Sequence, residues 1–125
     1  MSQAERESET GARDARVVLM TAPSRGSGLE LARALVAERL IACVNVVDGV
    51  TSVYRWEGHV EEAREVLMVA KTVRGRVEQL EQRLVELHPY DVPEFVVLAP
   101  EHVEGRFAAW LGDAVGPPTP PESVT

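Results

Sequence analysis

The segment His88-Pro89-Tyr90-Asp91-Val92-Pro93-Glu94 carries the densest set of reactive groups in the chain. An imidazole and carboxylates held together can bind a cation or a small polar ligand. The two prolines mark a turn between a helix end and a strand start, and there His88, Tyr90 and Glu94 are expected to line a cleft. A second reading needs no ligand: a histidine in the last helical turn complements the negative end of the helix dipole.

Soft metal ligands are few. Cys43, Met20 and Met68 supply one thiol and two thioethers, which with an imidazole suit Cu(I) or a late divalent ion, but no local spacing joins them. Cys43 stands beside Val44 and Val46 in an apolar strand pattern, the setting of a plain buried thiol. Lys71 is the single lysine among 13 basic residues. Strand alternation puts it on the side of Leu67 and Val69, facing an interior or an interface, where it must find a carboxylate or lower its pKa. Phosphate-cradling GxxxxGK[ST] and dinucleotide GxGxxG patterns are absent, as are GxSxG, CxxC and HExxH; Gly26-Ser27-Gly28 before a helix reads as a cap or an anion site. No nucleophile, base and orienting group can be assigned together, so no enzymatic activity and no obligatory cofactor are expected.

Few elements are needed to position these groups. Residues 16–22 form a short apolar strand ended by Pro23, and Ser27-Gly28-Leu29-Glu30 has capping-box spacing for a helix carrying Leu31, Ala34, Leu35 and Leu40. From Ala42 to Thr72 the pattern is two long strands around the turn-like Glu57-Gly58-His59. At roughly 3.3 Å per residue each arm reaches about 40–50 Å, against a radius of gyration of about 14 Å for a domain of this size. Gly75 opens a second helix with Val77, Leu80, Leu84 and Leu87 on one stripe. Residues 92–98 give a fourth strand, and Pro100-Glu101 starts a last helix with Val103, Phe107, Trp110 and Leu111 on its apolar face. The order βαββαβ plus a terminal helix predicts an α+β, ferredoxin-like sandwich with one sheet face uncovered. That face and the overlong hairpin both call for self-association.

The 125 residues suit one domain, expected over 16–115, between a disordered extension at 1–15 and a proline-rich tail at 116–125. The net charge is -7, and residues 17–115 hold 15 acids against 10 bases, which disfavours nucleic-acid binding and favours cations as partners. A lone cysteine excludes an intrachain disulfide, residues 1–16 lack the apolar core of a signal peptide, and no apolar run approaches a membrane span, so a cytoplasmic protein with no membrane contact is expected.

Five blocks in order resemble the CutA divalent-cation tolerance family over almost all of Val17 to Leu111. They are Val18-Leu19-Met20-Thr21-Ala22-Pro23, Ala42-Cys43-Val44-Asn45, Thr51-Ser52-Val53-Tyr54-Arg55-Trp56-Glu57-Gly58, Ala70-Lys71-Thr72, and the segment from His88 to Glu94. The resemblance implies a homotrimer paired through the long hairpin, similar to the PII signalling trimers. It also implies a role in tolerance of copper and other divalent cations, with Cys43 and His88 as metal ligands. Met20 stands where some relatives carry cysteine, and its neutral thioether is a weaker ligand than a thiolate. The alternative functions are a PII-like sensor or a trimeric assembly scaffold. In the sensor, Tyr54, Trp56, Lys71, Tyr90 and Glu94 join His88 in a cleft between subunits that holds a small anionic or polar ligand.

Overall fold

The computed structural model describes residues 14–116. Its elements are β1 (Ala15–Ala22), α1 (Arg25–Ala37), β2 (Cys43–Trp56), β3 (His59–Val73), a 3-10 turn (Arg74–Arg76), α2 (Val77–Leu87), β4 (Val96–Leu98) and α3 (Gly105–Val115). The four strands form one antiparallel sheet in the order β2-β3-β1-β4. The extension expected over 1–15 and the tail expected over 116–125 lie outside the described residues except at their inner ends. There Ala15 is already part of β1, opposite Val73.

Two-residue alternation sorts the strands into faces. Val18, Met20 and Ala22 of β1 and Val66, Met68, Ala70 and Thr72 of β3 are buried toward α1 and α2. Leu31, Ala32 and Leu35 of α1 and Leu80 and Leu84 of α2 complete the core on that side. The Thr72 hydroxyl donates to the Leu40 carbonyl at 2.7 Å, which satisfies it in this apolar layer.

The other face is covered only at its ends. At one end α3 packs Leu111 and Val115 on Ala15, Ala42 and Val73. The buried Arg76 guanidinium donates to the Val115 carbonyl at 2.9 Å and to the Gly116 carbonyl, placing a cation on the negative end of α3. At the other end the loop after α2 crosses Thr21. Between them Leu19, Leu67 and Val69 are half-buried, while Val96 and Leu98 are exposed.

The hairpin has arms of 14 and 15 residues. Its turn is Glu57-Gly58, with φ of 48° and 81°; positive φ at both central residues is the geometry that continues the strand twist. β1 meets β3 only from Val66 to Val73, so residues 59–65 pair with β2 alone. Seven residues, about 23 Å, therefore extend beyond the rest of the sheet.

Several boundaries differ from expectation. Helix α1 starts at Arg25, because Ser24 rather than Ser27 is its cap. Ser24 Oγ accepts the Ser27 N–H and Ser27 Oγ accepts the Ser24 N–H, both at 3.2 Å, so these groups serve the capping box rather than an anion. β4 keeps only three of its seven expected residues, since Val92 to Phe95, with Pro93 lacking an N–H, remain loop. Helix α3 starts at Gly105, where Glu104 accepts the Phe107 N–H at 3.0 Å.

Candidate functional site

The sheet's uncovered face gains its aromatic groups through a defect in β2. Cys43, Asn45 and Val47 oppose Lys71, Val69 and Leu67 on this face; after a shift between Val47 and Val50, the pairs become Val50 with Glu65, Ser52 with Ala63, and Tyr54 with Glu61. One extra residue changes the inward set from odd to even numbers. Gly49, with φ +72°, takes the left-handed conformation that the bulge requires. Were Gly49 held in the regular pleat opposite Glu65 instead, Val53 and Arg55 would occupy the places held by Tyr54 and Trp56.

Tyr54, Trp56, Ser52 and Glu65 then form one wall of a cavity of about 700 Å³, and Pro89, Tyr90, Asp91 and Glu94 of the loop form the other, above Thr21. The Tyr90 hydroxyl donates to Glu65 Oε2 at 3.1 Å and joins the walls. Burial, followed by that hydrogen bond, pushes the Tyr90 phenol up to about 12 from 10.0, so it remains a donor at neutral pH.

His88 anchors the loop. Its ring is buried, its Nε2 lies 2.7 Å from the Thr21 carbonyl oxygen, and its Nδ1 accepts the Tyr90 N–H at 3.1 Å. Accepting at Nδ1 assigns the proton to Nε2. The ring also sits 4.7 Å from that of Tyr90. Both nitrogens are thus engaged in holding the loop on β1.

Of the residues singled out from sequence, the structure brings Tyr54, Trp56, Tyr90 and Glu94 together and leaves Lys71 apart. Lys71 shares the face but lies six residues along β3 from Glu65, about 20 Å away. It is half-buried, and its Nζ donates to Asn45 Oδ1 and to the Val69 carbonyl at 3.4 Å; an amide takes the place of the expected carboxylate. Cys43 is half-buried rather than buried, on the face of Lys71, whereas Met20 is fully buried on the opposite face. Strand alternation thus separates Cys43 from Met20, and among the described residues no cluster of three or more His, Cys, Asp or Glu side chains is arranged to hold a metal. Sequence reasoning misses Glu65, although its alternation with Leu67 and Val69 places it on the same face.

Fold and cavity together define a small α+β protein with a ligand-sized cleft on the uncovered face of its sheet. The family CutA1 divalent ion tolerance protein matches residues 16–114. The divalent-cation tolerance protein CutA of Thermus thermophilus is 45% identical over 100 residues, covering 80% of this chain and 97% of that one. A chloroplastic CutA protein of Arabidopsis thaliana is 41% identical over 95 residues, covering 76% of this chain and 52% of its own length. The solved structure of the divalent cation tolerance protein Cut A1 from Thermus thermophilus superposes with a TM-score of 0.80 at 44% identity, over 82% of this chain and 99% of that one. The chain belongs to the CutA1 divalent ion tolerance family.

Proposed function

We propose that the chain works in divalent-cation tolerance as a cytoplasmic homotrimer of ferredoxin-like subunits, and that the cleft between the hairpin and the 88–95 loop is where it meets its ligand. One observation carries this reading: Tyr54, Trp56, Tyr90 and Glu94, distant in sequence, surround one cavity of about 700 Å³. The family name supports the tolerance role, and the overhanging hairpin with the exposed Val96 and Leu98 supports assembly. A thermal-shift screen of small metabolites tests the cleft, since a ligand at one hundred times its Kd stabilises by about 2.7 kcal/mol. A flat response across neutral, anionic and cationic compounds would sink it. Cell fractionation tests the location.

Direct copper binding is the second reading, favoured by the partial exposure of Cys43. Its ligands would be Cys43, His88 and Met20, which have to move to meet: Met20 lies across the sheet from Cys43, and His88 has both nitrogens engaged. Calorimetric titration with copper, zinc and nickel decides it, stoichiometric heat that is lost in Cys43→Ser being the supporting result.

A further inference from the structure

We infer that the cleft selects an organic cation, a substituted ammonium ion, rather than an anionic metabolite or a bare metal ion; the inference rests on the cleft reading above. The cavity's charged lining residues are all acids, Glu65, Asp91 and Glu94, and its rings are those of Tyr54, Trp56 and Tyr90. Among the described residues, no arginine, lysine or histidine lines it. An anion would enter this space against three carboxylates with no donor cation to offset them.

The carboxylates differ in what they already do. Glu65 accepts the Tyr90 hydroxyl at 3.1 Å, while Asp91 and Glu94 make no hydrogen bond or ion pair with any described residue. Two negative charges are therefore unengaged at a cavity that also contains aromatic rings. Rings attract a cation over their faces, and this attraction is strongest where water is partly excluded. Tyr90 contributes as a neutral ring, because its raised pKa keeps the phenol protonated.

Size and geometry separate an organic cation from a metal ion. A metal needs donor atoms converging within about 2–2.6 Å, and among the described residues no such cluster is present. A substituted ammonium ion needs no converging shell. It carries its charge on a bulky, weakly hydrated head that matches aromatic walls and surrounding carboxylates, and a cavity of about 700 Å³ has room for the body attached to that head.

The test uses the full chain carrying Trp110→Phe, so that Trp56 is the single fluorescent tryptophan of the original two. Choline is titrated against 3,3-dimethylbutanol, which has the same shape without the charge, and against adenosine monophosphate as an anion. Saturable quenching by choline is expected, with an affinity about tenfold above the alcohol, a ratio in the range of one desolvated cation–π contact. The double change Asp91→Asn, Glu94→Gln should lower choline affinity about tenfold, leave the alcohol unaffected and leave the melting temperature unchanged, because neither side chain holds another residue. Equal affinity for choline and the alcohol, or choline binding indifferent to the double change, overturns the inference. Binding of the alcohol or the nucleotide in the absence of choline binding overturns it too, but leaves the cleft reading standing; silence with all three probes removes both.

Discussion

His88 Nε2 lies 2.7 Å from the carbonyl oxygen of Thr21, a contact spanning 67 positions of sequence that fastens the cleft loop to the first strand. Removing the ring leaves a buried carbonyl and the Tyr90 N–H without partners. His88→Ala should therefore cost about 1–3 kcal/mol in urea denaturation at fixed protein concentration. A role confined to the helix end predicts only about 0.3–1 kcal/mol, so a loss below that ceiling would reduce His88 to a simple helix-end residue.

The Tyr90 phenol, pushed up to about 12 first by burial and then by its bond to Glu65, links stability to high pH. The folded state holds this proton more tightly than the unfolded state. The stabilisation is fully present below pH 10 and disappears as pH rises through 12. Tyrosinate absorbance in Tyr54→Phe, which leaves Tyr90 as the single tyrosine, should show the late midpoint, and Glu65→Gln should bring it part of the way back toward 10.0. A midpoint at 10 in the folded protein with Glu65 intact would contradict the Tyr90–Glu65 closure.

Gly49 sets the face on which the aromatic wall stands. A Cβ there meets nothing within 4 Å, so the penalty of substitution lies in the left-handed backbone. Gly49→Val should cost about 1–2 kcal/mol and Gly49→Asn clearly less, because asparagine tolerates φ near +72°. Deleting Gly49 is the complementary test: it removes the extra residue, keeps Val50 opposite Glu65 and Tyr54 opposite Glu61, and should leave Trp56 on the cleft face with its ligand response retained. Loss of that response in the deletion variant would show that this register does not place the wall.

Much of this arrangement is legible in the residues. The long hairpin, the Leu80–Leu84 stripe and the polar loop from His88 to Glu94 follow from local periodicity and turn chemistry, which need no tertiary information. Lys71 shares the face but lies outside the cavity within one chain, because alternation gives the face of a strand but not the distance along it. Glu65 escapes notice for a related reason: its partner Tyr90 is 25 residues away, and only the folded loop joins them. The bulge is the least legible element, since a glycine inside a strand pattern signals a defect without fixing its direction.

Unlike edges support the proposed trimer. The sheet ends in β2 on one side and β4 on the other, so pairing β2 of one chain with β4 of the next is heterologous and must close as a ring or propagate. The apolar residues Val53, Val60, Val96 and Leu98 are exposed in the single chain, at 61%, 65%, 44% and 46%. Burying them yields about 25 cal/mol per Å², and the overhanging 59–65 stretch gains backbone partners it otherwise lacks. Light scattering should give three times the 13.7 kDa chain, with a melting temperature that rises with protein concentration. Leu98→Arg places a charge on the uncovered face at the β4 edge and should lower the assembled fraction without unfolding the α1–α2 side, where Leu80 and Leu84 stay packed. A wild-type chain that scatters as a monodisperse monomer at micromolar concentration would overturn the trimer and leave the hairpin's overhang to be covered by some other chain.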